Sequence, residues 1–401
     1  MTLVIRANFK RFGHSGRGSC SPLGFPFMPK IQTIQSLRAI AALLVVFDHT
    51  SLPSAGHGLS PRLPYIASFI GMQGVAIFFI ISGFIMAYTA NSPDDAGPRA
   101  SLAKSFAIRR IVRVVPLYWF FTLLAAAIVL LLKLGKFMPA SYLLKSLFFI
   151  PYVAKYDTLL MMNPVLPMGW TLNYEMVFYA LFTAALLLPY RLRVPALVAT
   201  LAAIVAVGAC FYPILAGAKP LSEGEFLTSP IILLFGVGAA LGWLRLKYPD
   251  FTLKVPGLPW ALPLLALNCF LANPRTETFP LRSNAIYWLI DLAIVALCIF
   301  GRPIHLPLLE ALGNASYSLY LVHLIPLAIC FVVWKLLHFP SAIAFTIACL
   351  VASAATALAT YRWLERPLTR TFARLLERPK KQPAPIPAPT LEPLIKPAAT
   401  T

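Results

Sequence analysis

Six ionisable side chains interrupt long apolar runs in this chain of 401 residues: Arg38, Asp48 and His49 in one run, then Glu175, Asp291 and His323 in three others. At mid-bilayer each such group costs on the order of 3 kcal/mol, so each is a candidate for function rather than for packing. His49 has the widest chemistry. A neutral imidazole, with a pKa of about 6.5, accepts a proton at physiological pH, and a nearby carboxylate orients the ring and stabilises the imidazolium that forms. Glu175 or Asp291 is the expected carboxylate. Asp48 is disfavoured, because adjacent helix residues point about 100° apart. A rise of about 1.5 Å per residue puts His49, Glu175 and Asp291 in one layer, roughly 8 to 10 Å below the outer face. The same pairing also reads as a structural hydrogen bond joining helices. His323, with Ser316 and Tyr320 on similar helix faces, reads as a packing or bonding histidine.

A second group is basic. Arg109, Arg110 and Arg113 precede Pro116 at the cytoplasmic entrance of an apolar run. Arg110 and Arg113 share a helix face at i, i+3 and can clamp a phosphorylated ligand, although arginines beside a span are also ordinary topology signal. Small residues Gly71, Gly74, Ser82 and Gly83 leave room for a slender chain, or for close helix packing.

The elements that must carry these residues are membrane helices. Hydrophobic residues make up 59% of the chain and charged ones 12%, with a mean hydropathy of +0.76. A soluble enzyme is excluded. About ten apolar stretches are long enough to cross the membrane, near 34–52, 66–89, 112–132, 170–189, 194–213, 228–246, 258–273, 284–300, 315–337 and 342–364. The expected class is an all-α integral membrane protein with both termini cytoplasmic, since most of the 34 Lys and Arg then fall inside. The net charge of +20 thus reports topology rather than a nucleic-acid partner. The apolar stretch 141–153, with Lys145 inside it, is too short to span and is expected at the interface.

Three segments follow: a basic extension over 1–30, a membrane domain over 31–370, and a Pro-rich disordered tail over 371–401. The extension shows no cleavable signal; Met28 makes a misplaced start codon as good an account of it as a functional basic arm. The six cysteines form no C-x-x-C pair, and neither a metal site nor a disulfide framework is expected.

Taken in order, the motifs resemble those of the acyltransferase-3 family, especially its exopolysaccharide-modifying members. Arg38 is followed after ten residues by His49; span two reads Gly-Val-Ala-Ile-Phe-Phe-Ile-Ile-Ser-Gly-Phe from Gly74 to Phe84. Then come Arg110-x-x-Arg113 with Pro116, Gly169-Trp170-Thr171-Leu172 leading to Glu175, Ser316 to Leu321 with His323, and Glu365-Arg366-Pro367. The resemblance covers about residues 31 to 370.

It implies transfer of an acyl group, acetyl by family precedent, from cytoplasmic acyl-coenzyme A to a hydroxyl of an exopolysaccharide or lipid-linked glycan, at the bacterial inner membrane. No permanently bound cofactor is implied; acyl-coenzyme A is a co-substrate. His49 is then the essential histidine, as base or acyl carrier, with Glu175 or Asp291 beside it. Arg38, Arg110, Arg113 and Ser82 hold the donor, while Trp170, Asn173, Tyr174, Tyr320 and His323 face the substrate. The expected partners are the saccharide acceptor, membrane lipid and a polysaccharide biosynthesis or export complex. The rival reading is a transporter or flippase for a glycan precursor or organic anion, for which the same groups serve proton coupling and anion entry. A third is an accessory subunit of an export complex.

Overall fold

A computed structural model describes residues 31–54, 63–90, 98–131, 139–152, 164–212, 222–271, 281–338 and 341–376. The extension 1–30 and the tail beyond 376 lie outside these residues, whereas 371–376, assigned above to the tail, are helical.

All named elements among the described residues are helical, with an isolated bridge between Pro256 and Arg302. In chain order they are α1 (Gln32–Ser54), α2 (Leu63–Ala90), α3 (Arg99–Leu131), α4 (Ala140–Leu147), α5 (Gly169–Ala185), α6 (Tyr190–Phe211), α7 (Glu223–Leu227) and α8 (Leu233–Lys247). The second half contains α9 (Gly257–Leu271), α10 (Leu281–Phe300), α11 (Pro307–Asn314), α12 (Ser316–Val322), α13 (Leu324–Leu337), α14 (Ala342–Thr360) and α15 (Arg366–Leu376). A π-helical turn over Tyr361–Glu365 joins the last two.

Each expected apolar stretch contains a helix, but they are not equal. Among the described residues, five helices are long and apolar enough to cross a membrane: Ile66–Ala90, Arg99–Leu131, Tyr190–Phe211, Glu223–Lys247 and Ala342–Leu376. The pair α12 and α13, bent by 51° at His323, makes a sixth if it is one broken span. By length and composition alone, five to six spans among the described residues pass, and the other expected stretches hold shorter or more polar helices. The shortfall has local causes. α5 has 17 residues and α9 has 15, and α1 gives up apolarity to Arg38, Asp48 and His49. The stretch at 141–153 begins as the short helix α4, followed by exposed Phe148 and Ile150.

The outside of the bundle is apolar. Leu131, Phe211, Phe270, Leu336 and Ile343 are each more than two-thirds exposed, a surface suited to lipid and not to water. Its centre is α2, packed most extensively on α8 and α1. Glycine permits that approach. A methyl group at Gly242 would meet the Phe84 carbonyl at 2.7 Å, and one at Gly238 would press into the Ile80 carbonyl. Where lipid tails are as apolar as leucine, such small-residue contacts supply helix association through packing.

Candidate active site

A cleft opens among α1, α2, α3, α5 and α12, with an empty volume of about 780 Å³ including the part open to solvent. Its polar lining consists of Arg38, Ser82, Arg110, Arg113, Thr171, Glu175, Tyr179, Ser316, Tyr317 and Tyr320; Val75, Phe78, Phe79, Ile81, Ile85, Met86, Val114 and Leu172 supply the apolar wall. Three guanidiniums thus face one lining carboxylate, a balance that suits an anionic ligand.

Arg38 and Arg110 are each positioned by their own surroundings. Arg38 on α1 donates to Ser316 Oγ at 2.8 Å and to Gln35 Oε1 at 3.2 Å. Arg110 on α3 lies over the rings of Phe106, at 5.3 Å, and Tyr179, at 5.9 Å. Cation–π contact holds the guanidinium plane while leaving edge N–H groups for a ligand. Its buried Nε has no hydrogen-bond partner among the described residues.

Glu175 belongs to this cleft. Its Oε1 accepts from Ser82 Oγ at 3.1 Å and from the Tyr179 hydroxyl one helical turn on. The sequence placed it in the layer of His49, yet the structure sets it among the arginines and bonds it to hydroxyls of α2 and α5. Asp291 is bonded to other groups than His49. Fully buried on α10, it accepts from Asn268 Nδ2 at 3.0 Å, and the Gln73 amide, turned to satisfy its partners, donates to Asp291 Oδ2 at 2.6 Å. Neither expected carboxylate hydrogen-bonds His49 among the described residues.

Against the ring of His49 lies another histidine. The rings of His49 and His323 meet edge to face, with centroids 5.1 Å apart and planes at 68°. His49 Nδ1 donates to the Val45 carbonyl at 2.8 Å and His323 Nδ1 to the Leu319 carbonyl at 3.1 Å. A carbonyl only accepts, so the neutral rings carry their protons on Nδ1 and present Nε2 as the basic atom.

Between cleft and histidines stands Tyr320. Its hydroxyl bonds Thr171 Oγ1 at 2.6 Å and donates to the Met168 carbonyl at 3.1 Å, and its ring centroid lies 6.4 Å from that of His323. Of the other expected substrate contacts, Tyr174 turns away and donates to the Phe226 carbonyl at 2.7 Å, which commits its only proton to the backbone. Trp170 packs edge-on against Tyr174. Asn173 is buried with Oδ1 unpartnered among the described residues.

Residues 31–362 match the acyltransferase domain family, Acyl_transf_3. The chain belongs to the acyltransferase-3 family. It is an acyl-transferring membrane enzyme by that membership. It is similar to the exopolysaccharide production protein ExoZ of Rhizobium meliloti (strain 1021), 32% identical over 260 residues, which are 63% of this chain and 76% of that protein. No solved structure matches it. The Arg38-x10-His49 spacing gains a physical sense here: about 16 Å of helix rise lies between Arg38, whose side chain lines the cleft, and His49, whose ring meets His323.

Thr171, Tyr179, Ser316 and Tyr317 line the cleft without having been assigned to the site from sequence, and Glu365 lies next to it. Tyr179 was legible, since a tyrosine at i+4 from Glu175 shares its helix face. Glu365 was not. Buried in the π-helical turn, it accepts from Ser318 Oγ at 2.5 Å, two residues from the serine that holds Arg38.

Proposed function

We propose that this enzyme transfers an acyl group, acetyl in the simplest case, from cytoplasmic acyl-coenzyme A to a hydroxyl of an exopolysaccharide or its lipid-linked precursor. The observation that carries this reading is the cleft, where Arg38, Arg110 and Arg113 converge from two helices on a partly apolar channel. The phosphates of coenzyme A match the guanidiniums, and its flexible arm matches the apolar wall. The name of the ExoZ relative supports a polysaccharide acceptor.

In this reading the nucleotide stays at the arginines and only the thioester advances toward His49. His49 Nε2 takes the proton of the acceptor hydroxyl, the oxygen attacks the thioester carbon, the C–S bond breaks, and the thiolate leaves to be protonated as free coenzyme A. A covalent acyl-His49 intermediate is the variant route, distinguished by label retained on the protein in a rapid quench. The cleft and the histidine pair then form one path, with Tyr320 between them.

Ten crossings of the bacterial inner membrane with both termini cytoplasmic complete the proposal. Its support is the helix found in every expected stretch and the excess of Lys and Arg that this topology puts on the cytoplasmic side. Residues 31–370 form the catalytic unit, flanked by a basic extension and a Pro-rich tail.

The test is the O-acyl content of the surface polysaccharide, read by proton NMR in a deletion strain carrying wild type or His49→Ala at equal membrane levels. We expect the ester signal to return with wild type alone, because removing a general base costs about 10²- to 10⁴-fold. An ester signal unchanged by the deletion would sink the reading and bring the transporter forward.

A further inference from the structure

Within the acyl-transfer reading, on which this inference rests, we propose that Glu365 is a positioning residue of the donor site: by holding Ser318 it fixes the first turn of α12, and with it the Ser316 hydroxyl that aims Arg38 into the cleft.

The part that needs fixing is α12. It has seven residues; Ala315 alone joins it to α11, and a 51° bend at His323 parts it from α13. A helix this short is set in place by tertiary contacts rather than by its own hydrogen bonds. Three such contacts run along the cleft. Ser316 Oγ accepts from Arg38 Nη2 at 2.8 Å, the Tyr317 hydroxyl donates to the Val114 carbonyl beside Arg113 at 2.7 Å, and the Tyr320 hydroxyl bonds Thr171 Oγ1 at 2.6 Å. A fourth comes from outside it: Ser318, wholly buried, donates to Glu365 Oε2 at 2.5 Å. Glu365 is not among the residues that line the cleft, so its carboxylate acts through α12 and not on a bound donor.

The acid is also specifically placed. Glu365 closes the π-helical turn Tyr361–Glu365, in which the Arg366 N–H bonds the Tyr361 carbonyl. Such turns are rare and fall mostly at functional sites. Its charge lies within electrostatic reach of both Arg38 and Arg113, which repel one another. Burying a carboxylate is costly unless opposite charge and hydrogen bonds offset it. Here the hydrogen bond goes to Ser318 and not to a guanidinium, so the arginines keep N–H groups for phosphate while a negative charge stands behind them. Two hydroxyls two residues apart thus tie one carboxylate to one ligand-facing guanidinium, an order of contacts that helix glue alone does not require.

If the bond is lost, the first turn of α12 shifts, Ser316 no longer directs Arg38, and donor affinity falls while the chemistry at His49 stays. The full-length chain in membrane vesicles is assayed for free thiol release from acetyl-coenzyme A, with alkali-deacylated polysaccharide of the same strain as acceptor. Folded protein is quantified by fluorescence-detected size exclusion. We expect Glu365→Ala to raise the donor KM at least ~10-fold, with kcat per folded molecule and the acceptor KM within about 2-fold. Glu365→Gln, whose side-chain carbonyl still accepts from Ser318, should keep the donor KM within about 3-fold of wild type. Ser316→Ala should raise it as Glu365→Ala does, and the double variant should exceed the larger single effect by no more than about 2-fold, because both act on one guanidinium. Ser318→Ala breaks the same bond from the other side and takes the place of Glu365→Ala if that protein does not fold.

A donor KM within 3-fold of wild type in Glu365→Ala would overturn the role, as would a loss confined to kcat or to the amount of folded protein. So would single effects that multiply in the double variant, or a Glu365→Gln protein as impaired as Glu365→Ala. Absence of acceptor-dependent thiol release by wild type is a different result: it removes the acyl-transfer reading itself, and the positioning with it.

Discussion

Two carboxylates of this bundle, Glu175 and Asp291, have opposite surroundings. Glu175 is half-buried at a cleft, bonded to two hydroxyls and grouped with three arginines. Asp291 is sealed among α2, α9 and α10, where Asn268 and Gln73 direct amide protons at it and Asn268 Nδ2 also reaches the Tyr287 carbonyl at 3.3 Å. Hydroxyls on a cleft wall can exchange partners with a ligand. Amides closed on a buried acid have no such freedom, and that knot reads as helix glue. Depth in the membrane alone therefore does not identify a functional acid; access does.

The strongest way to sharpen the contrast is to remove the charge that gives the cleft its purpose. Replacing Arg110 and Arg113 together by alanine is expected to raise the KM for acyl-coenzyme A by ~100-fold or more, since each charge-assisted bond lost costs about 1.5–3 kcal/mol. The acceptor KM should hold. Thiol-release kinetics in vesicles supply the measurement, and a donor KM within 3-fold of wild type would show that the cleft is not the anion site.

The next effect falls on stability. Asp291→Ala takes the acceptor away from two buried amides, at about 1–3 kcal/mol for each donor left unpaired. A lower midpoint of thermal aggregation is expected, with activity per folded molecule within about 2-fold of wild type. Asp291→Asn, keeping shape and one carbonyl acceptor, should lie between. A normally folded Asp291→Asn protein without transfer activity would break the comparison, because Asp291 would then be chemical after all.

How much of this the sequence disclosed depended on range. Arg110 and Arg113 were legible because an i, i+3 pair is local, and the Arg38-to-His49 spacing because it lies on one helix. Partners from distant segments were not. The contact of His49 with His323 joins α1 to the break after α12, and no spacing encodes it. Gln73 and Asn268 went unread because a neutral amide in an apolar run draws no notice until a buried acid requires it. Glu175 was expected beside His49 from depth alone, and depth along a span does not say which helix faces meet: on α5 its carboxylate turns to Ser82 and Tyr179. The helices themselves were the easiest part, since apolar runs of that length have few alternatives in lipid.

The smallest effect is also the most discriminating. In Glu175→Gln the side-chain carbonyl still accepts from Ser82 and Tyr179, so the cleft wall keeps its shape while the three guanidiniums lose their lining counter-charge. Donor binding should tighten, lowering the KM for acyl-coenzyme A by ~2- to 5-fold, the size of an exposed ion-pair contribution of up to about 1 kcal/mol. The value of kcat should change little. Had Glu175 been the acid that orients His49, the same substitution would instead lower kcat by ~10²-fold and leave the donor KM alone. The two outcomes move different constants, so one saturation curve on one variant decides whether the open carboxylate belongs to the donor's charge balance or to the proton transfer.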